Sequence, residues 1–372
     1  MVDPGGLDIS NRRFGLLPCL VAVIAIALAG VPSATPAAVP HSGQGFALAD
    51  DTYFNWPNDP PSFRATAENW YGPTFADLAP ASFRFQILWN AEPLLIERAK
   101  MLADYVRSQG VEEVLVTFKK NGPAPDAATY GASIRNIVAQ LASRVDAWGP
   151  ANEPNRGDTW LAGTNGAKLL AAYWVEFNAA LDALDPAAVR LSPEFVDRRD
   201  LGSIGAYIRA YAKAGGGFGH VVGWHPYWGL HGVASATTDD LLQNVPADLP
   251  VWITEVGAFG TNTNGAQVID DAETIQQGKL NWLVNDPNGL AAHPRVARIY
   301  HYHVRDTGQP DWDSALLRND GTRRPAWYTW CYASHGDDPT AGDCAEWRFL
   351  GDLLPEVRHW LSGVGLPDSP SS

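Results

Sequence analysis

The sequence predicts a single α/β domain of the (β/α)8 (TIM) barrel class. Eight short apolar segments of strand type alternate with longer helical patterns along the chain. This alternation in one undivided chain implies a parallel sheet, and eight such units within roughly 250 to 300 residues match the size of this barrel. A doubly wound open sheet is the weaker alternative, because no GxGxxG or GKS/T loop follows an early strand.

The predicted elements follow one another in regular order. The strands are predicted at 45–49, 83–89, 111–118, 147–151, 189–192, 221–225, 251–254 and 297–302. The helices, several of which begin after Pro, Asp or Asn, are predicted at 93–108, 127–142, 166–184, 201–214, 239–245 and 271–284. From Gly45 onward no linker, charge block or close repeat divides the chain, so one domain at 41–372 is the simpler interpretation.

The N-terminal segment, residues 1–40, is predicted to be a signal peptide with a small-residue tail. Arg12 and Arg13 precede an apolar stretch at 16–30, after which Ala, Pro and Ser dominate up to His41. A bilayer span needs about 20 apolar residues, so export is favoured over membrane residence, with an uncleaved anchor as the alternative. We therefore expect a secreted, extracellular protein with no stable membrane partner.

Composition narrows the classes of partner. The 372 residues carry a formal net charge of −14, with 41 acidic against 27 basic side chains, which would repel a nucleic acid backbone. The chain also has 15 Trp, 12 Tyr and 13 Phe, a surplus of rigid rings that fits stacking against sugar faces. Most of these rings are nevertheless expected to pack in the core. Nucleic acid is not an expected partner, and the sequence carries no signal for oligomeric state.

Two cysteines remain in the expected mature chain, and we predict that they form a disulfide. Cys331 and Cys344 are separated by a short polar segment in a chain expected to be exported. Two unpaired thiols are the alternative. A metal site at these cysteines is disfavoured, because no further Cys supplies ligands.

The carboxyl ends of two predicted strands each carry a glutamate. The fourth strand runs into Trp-Gly-Pro-Ala-Asn-Glu-Pro-Asn, in which the glutamate is Glu153. The seventh strand is Val-Trp-Ile-Thr-Glu-Val-Gly, in which the glutamate is Glu255. A barrel places its chemistry at these ends, and strands four and seven face each other across it. Two carboxyls in unlike surroundings can divide the acid and nucleophile roles that breaking a glycosidic bond requires.

The two motifs together resemble the signature of the clan A glycoside hydrolases, the retaining 4/7 superfamily of (β/α)8 barrels. The motifs are Asn152-Glu153-Pro154 and Thr254-Glu255-Val256-Gly257, and the wording around the first is most similar to families 39 and 5. The resemblance covers nearly the whole mature chain. It implies a glycosidase that cleaves a poly- or oligosaccharide with net retention, with Glu153 as general acid/base, Glu255 as nucleophile and no cofactor.

The same resemblance suggests substrate contacts. Asn152 is expected to hold the sugar 2-hydroxyl, and Arg84 resembles the arginine near the nucleophile, where a cation would keep the carboxylate ionised. His225 and Tyr227 stand at the end of the sixth strand, where the clan often has a His or Tyr beside the nucleophile. The eighth strand has His301-Tyr302-His303 where many relatives have a Trp, which makes Tyr302 the candidate contact there.

Structural explanations without a function remain open for several of these residues. Glu153 and Glu255 could be surface carboxylates near helix starts, Arg84 could pair with a structural acid, and His225 could be a core histidine. Acidic residues after the first and fifth strands are more commonly solvated loop charges than substrate contacts; they are Asp50, Asp51, Glu194 and Asp197.

Two other functions remain as alternatives. One is a catalytically silent carbohydrate-binding barrel. The other is a metal-dependent hydrolase built around His225, His301 and His303, of which the last two would share one strand face. Such hydrolases usually need further His and Asp ligands, so no metal is expected.

Overall fold

A computed structural model describes residues 45–156, 161–200, 202–259, 272–308, 313–335 and residue 344. The predicted signal segment at 1–40 lies outside these residues. Within the described part of the chain, no helix combines the length and the apolar character needed to cross a bilayer.

In the described residues, nine parallel strands form one sheet, and the first strand along the chain pairs with the last. Its order is β5-β4-β3-β2-β1-β9-β8-β7-β6. The strands are β1 Phe46–Ala49, β2 Ser82–Leu88, β3 Glu113–Lys119, β4 Ala147–Gly149, β5 Val189–Arg190, β6 Phe195–Val196, β7 Val222–His225, β8 Val251–Val256 and β9 Val296–Tyr302. Ala49 of β1 is in register with Arg84 of β2 on one side and with Tyr302 of β9 on the other. The predicted α/β class with a curled parallel sheet is therefore confirmed.

Helices surround the sheet and alternate with its strands. They are α1 Pro60–Leu78, α2 Pro93–Ser108, α3 Ala127–Leu141, α4 Gly163–Leu184, α5 Ser203–Lys213, α6 Tyr227–Gly232, α7 Ala236–Leu242, α8 Ala272–Asn285 and α9 Pro325–His335. The sequence predictions omitted α1, because Gly72 and Pro73 interrupt its pattern. Asp59 caps this helix, since its side chain accepts a hydrogen bond from the Ser62 amide and Pro60 follows at the first helical position.

The fifth barrel strand differs from its prediction at 189–192. The structure divides it into β5 and β6 around Ser192-Pro193. Proline has no amide hydrogen to donate to a ladder, so pairing breaks at this point. Isolated bridges join Leu191 to Val221 and Asn152 to Glu194 across the break.

Strand alternation separates the two faces of the sheet. In β2, the large side chains of Phe83, Phe85 and Ile87 belong to the main core between sheet and helices. The intervening Arg84 and Gln86 are buried on the other face. A smaller apolar cluster fills the interior and consists of three alanines and five larger side chains: Ala47, Ala49, Ala147, Leu115, Leu191, Val221, Trp252 and Tyr300. The polar residues of β2 therefore point into the interior of the curled sheet.

The last helix is linked to the chain beyond it by a disulfide. Cys331 of α9 is bonded to Cys344, with the two Cα atoms 5.8 Å apart, so the predicted pairing is confirmed. Trp330 on the same helix packs against the imidazole of His301, with ring centroids 5.1 Å apart.

Candidate active site

The structure brings the two predicted glutamates together at the carboxyl ends of their strands. Glu153 follows β4, and Glu255 lies near the end of β8. A carboxylate oxygen of each, together with a ring nitrogen of His225, lie within 4.8 Å of one another. The glutamates are only 6% and 5% exposed. The surface-carboxylate interpretation is therefore wrong for both residues.

The backbone at Glu153 has an unusual conformation. Its φ of 45° is in the left-handed region, which residues other than glycine seldom adopt. The Glu153 amide donates to the Glu194 carbonyl at 2.9 Å, and the Asn152 amide donates to the Phe118 carbonyl at 2.9 Å. These bonds fix a strained turn that presents the Glu153 side chain to the site.

Two basic side chains contact the Glu153 carboxylate. His225 Nδ1 lies 3.1 Å from Oε1, and Arg156 Nη1 lies 3.1 Å from Oε2. Burial raises the pKa of Glu153, but the hydrogen bond and charge of His225 and the charge of Arg156 outweigh it, so the pKa is lowered. The His225 ring is fully buried, and its Nε2 is 3.1 Å from the Thr254 hydroxyl.

Glu255 accepts three hydrogen bonds from neighbouring strands and helices. Its Oε2 accepts from Arg84 Nη1 at 2.9 Å and from Gln86 Nε2 at 3.0 Å. Its Oε1 accepts from the Tyr227 hydroxyl at 2.8 Å. Burial, followed by the charges of Glu255 and Glu153, raises the pKa of Tyr227, which keeps this hydroxyl a donor. Gln86 was absent from the sequence predictions, although its position two residues after Arg84 places it on the same strand face.

Arg84 is the buried centre of the site. Its Nε and Nη2 donate to the two carboxylate oxygens of Glu194, at 2.9 and 2.5 Å. Burial lowers the pKa of Arg84, but the charges of Glu194 and Glu255 raise it further, so the guanidinium stays charged. Burial likewise raises the pKa of Glu194, but Arg84 outweighs it and the pKa is lowered. The expectation that Glu194 is a solvated loop charge is wrong, because its side chain is fully buried against this cation.

Asn152 has its amide orientation fixed by the same guanidinium. Its Oδ1 accepts from Arg84 Nη2 at 2.8 Å. Since arginine can only donate, the oxygen of the amide must face it and the Nδ2 group must face away. The orientation of the Asn152 amide is therefore set by the buried cation.

A second polar cluster occupies the ends of β1 and β9. Asp51 accepts from the Tyr302 hydroxyl at 2.9 Å and from Lys119 Nζ at 2.7 Å, and His303 Nε2 is 3.5 Å from its Oδ1. Burial raises the pKa of Asp51, but Lys119 and His303 lower it further, so Asp51 is an anion. The Tyr302 side chain is half-buried, and its hydroxyl is held by the Asp51 carboxylate, which is itself mostly buried.

Asp50 and Asp197 are structural acids rather than solvated charges. Asp50 accepts from the Tyr71 hydroxyl at 2.9 Å and from the Val304 amide at 3.1 Å. Asp197 accepts from the amides of Trp228 and Gly229 at 2.8 and 2.7 Å. Burial raises the pKa of Asp197 to about 6 in spite of these bonds. Asp197 thus anchors the start of α6, the helix that carries Tyr227.

The histidines proposed for a metal site do not converge. His301 packs against Trp330, whereas His303 lies beside Asp51. Among the described residues, the group of possible ligands at this site is Glu153, His225 and Glu255. Arg84 and Arg156 contact these same carboxylates, and two cations at this distance oppose the binding of a metal ion.

Several solved structures of other proteins resemble this fold at low sequence identity. No protein-family model and no curated protein matches the chain. It is similar in structure to a calcium-binding mutant of Bacteroides uniformis β-glucuronidase 2, with 14% identity and a TM-score of 0.57, over 80% of this chain but 35% of that one. Penicillium canescens endo-1,4-β-xylanase XylE is similar at 15% identity and a TM-score of 0.55, over 80% of this chain and 97% of the xylanase.

A third similar structure is a family 39 glycoside hydrolase from the gut symbiont Bacteroides cellulosilyticus WH2. Its identity is 14% and its TM-score 0.53, over 80% of this chain and 64% of that one. The resemblance to glycoside hydrolases, family 39 included, that the two motifs indicate is therefore confirmed at the level of the fold.

The Arg84→Met variant tests how much the buried cation stabilises the fold. Removing one partner of a buried ion pair costs about 3–5 kcal/mol, so the free energy of unfolding should fall by about that amount in urea denaturation. Arg135→Met is the control, because it removes an exposed cation paired with Glu176 at 3.0 Å and should cost less than about 1 kcal/mol. Equal losses of unfolding free energy in the two variants would show that the buried Arg84 ion pairs stabilise the fold no more than an exposed ion pair does.

Proposed function

We propose that this chain is a retaining glycoside hydrolase that acts on a poly- or oligosaccharide. The observation that carries the proposal is the approach of the Glu153 and Glu255 carboxylate oxygens, with His225, to within 4.8 Å. Carboxyl groups about 5–5.5 Å apart suit a covalent double displacement, whereas an inverting enzyme needs about 6.5–9.5 Å to admit a water. The similar structures carry glucuronidase, xylanase and glucosidase names, which supports the same reaction class.

In the first step, Glu255 attacks the anomeric carbon and Glu153 protonates the leaving oxygen. Oε1 of Glu255 is the attacking atom, because it carries one hydrogen bond while Oε2 carries two. The acid proton of Glu153 resides on Oε2, since Oε1 faces His225. The glycosidic C–O bond breaks, its electrons and the Glu153 proton leave with the alcohol, and a glycosyl ester forms on Glu255.

In the second step, the ester is hydrolysed. The Glu153 carboxylate takes a proton from water while the water oxygen bonds to the anomeric carbon. The ester C–O bond breaks, and Glu255 returns as a carboxylate held by Arg84, Gln86 and Tyr227. The lowered pKa of Glu153 in the free protein favours the carboxylate that must take the proton from water in this step.

Three broader features belong to the same proposal. The segment 189–196 pairs with β4 through β5 and with β7 through β6, which supports closure of the sheet into a (β/α)8 barrel. The continuous chain after residue 41 supports one catalytic domain. The apolar segment at 16–30 supports export, so the substrate is a glycan outside the cytoplasm.

The stereochemical outcome tests the proposal directly. Aryl β-glycosides of xylose, glucose and glucuronic acid form the first substrate panel, because these sugars correspond to the similar structures. For any that is cleaved, NMR during the first minutes should show the product with the anomeric configuration of the substrate. A first product of opposite configuration would exclude double displacement, and failure to cleave this panel and a wider set of polysaccharides would favour a silent carbohydrate-binding barrel.

Glutamine variants of the two glutamates should separate their roles. Glu255→Gln should lose turnover on every substrate, because no ester can form. Glu153→Gln should lower kcat by about 10²–10⁴-fold on an oligosaccharide, and much less for the glycosylation step on a dinitrophenyl glycoside, whose leaving group departs without a proton. Circular dichroism checks that both fold. Equal glycosylation losses of Glu153→Gln on both substrates would contradict the acid role.

Arg156→Gln should move the alkaline limb of the pH–rate profile. The exposed Arg156 cation lowers the pKa of Glu153, so its removal raises that pKa and Glu153 keeps its proton to higher pH. The alkaline limb of kcat/KM should therefore rise by a few tenths of a pH unit, since solvent screens an exposed charge. Arg209→Gln, at an exposed site on α5, is the control and should leave the limb in place. A limb that falls or stays fixed in Arg156→Gln would argue against Glu153 as the acid.

A further inference from the structure

We propose that Glu194 is a positioning residue that couples the two catalytic glutamates, acting through Arg84 on Glu255 and through His225 on Glu153. This inference rests on the retaining reaction proposed above. It assigns a role to a buried acid that contacts neither reacting atom of the sugar.

The backbone holds Glu194 at the junction of two strands. Its amide donates to the Ala151 carbonyl and its carbonyl accepts from the Glu153 amide, both at 2.9 Å. On the neighbouring strand, a Cβ at Gly223 would lie 2.8 Å from Glu194 Cγ, closer than packed atoms tolerate. The Thr117 hydroxyl donates to Glu194 Oε1 at 2.9 Å. A glycine on β7 thus makes room for this carboxylate, and a hydroxyl donor on β3 satisfies it.

The first arm of the coupling runs to Glu255. Glu194 binds Nε and Nη2 of Arg84 with its two oxygens, and this clamp fixes the plane of the guanidinium. Nη1 is then directed at Glu255 Oε2, 2.9 Å away. The clamp also divides the Arg84 charge between two carboxylates, so Glu255 is oriented without being fully neutralised.

The second arm runs to Glu153. His225 lies between the two acids, with Nε2 3.7 Å from Glu194 Oε2 and Nδ1 3.1 Å from Glu153 Oε1. The negative charge of Glu194, on the far side of the ring, opposes the loss of a proton from Glu153. Glu194 therefore acts on the acid/base through the same ring that orients it.

The charge balance explains why an acid is needed here. Arg84, Glu194 and Glu255 together carry one net negative charge, and this charge helps to keep a proton on Glu153 before the first step. Without Glu194, the Arg84 cation would neutralise Glu255 alone. The nucleophile would then be held more tightly, and the field that retains the proton on Glu153 would weaken.

The test is the pH profile of kcat/KM for Glu194→Gln. This variant removes the charge at nearly constant shape, so both the acid and the alkaline limb should move to lower pH, by about one unit. kcat should fall by about 10- to 100-fold because Arg84 loses its clamp. Glu176→Gln is the matched control, since it removes an acid from the outer helix α4 and should move neither limb. Unmoved limbs in a folded Glu194→Gln enzyme would overturn the coupling.

A second variant keeps the proposal testable if Glu194→Gln does not fold. Glu194→Asp retains the charge but draws the carboxylate back from Arg84, so kcat should fall while both limbs stay near their wild-type positions. Wild-type kcat in Glu194→Asp, or limbs displaced by about one pH unit, would overturn the proposal. Neither result tests whether the protein hydrolyses glycosides. A wild-type protein that cleaves no glycoside would contradict the proposed function and not the coupling alone.

Discussion

A single buried guanidinium determines how this site is assembled. An arginine without solvent must have its charge and its donors satisfied by the protein, because an unpaired buried charge is strongly unfavourable. Arg84 meets this demand with Glu194, Glu255 and Asn152, which come from three separate parts of the curled sheet. The network therefore holds the ends of β2, β8 and the segment around β4 in one arrangement, and the spacing of Glu153 and Glu255 depends on it.

The sheet makes room for this network by its choice of side chains. Alternation in β2 directs Phe83 and Phe85 to the helices and Arg84 inward. The interior also holds a smaller apolar cluster in which three of the eight buried residues are alanine. Close to the network, Gly149 and Gly223 replace side chains that would collide with Thr117 and Glu194. The interior of the sheet therefore contains both the polar Arg84 network and an apolar cluster. The hydrogen bonds of this network are strengthened because water has little access to them.

The sequence predicted those parts that depend on local pattern. Parallel strands, most helices and the disulfide follow from periodicity and spacing, and the convergence of Glu153 and Glu255 follows from their places at strand ends. Burial of Glu194 could not be read locally, because a Ser-Pro-Glu segment is typical of a loop and only Arg84, distant in sequence, makes the acid tolerable inside. The helix α1 was missed for a related reason. Its Gly-Pro pair reads as a break, whereas packing of Phe63, Tyr71 and Phe75 maintains the helix.

The electrostatics of Glu153 set the order of events in the proposed reaction. In the free protein His225 and Arg156 lower its pKa, which suits the base that activates water but not the acid that begins the cycle. Of these two cations, Arg156 is exposed, with 55% of its side chain accessible, and it contacts the oxygen that must carry the proton. In the proposed reaction, a sugar bound between the glutamates would displace that contact and exclude water from the carboxyl, and both changes would raise the pKa of Glu153. Substrate binding would then supply the protonated acid, and departure of the leaving group would restore the conditions that favour the base.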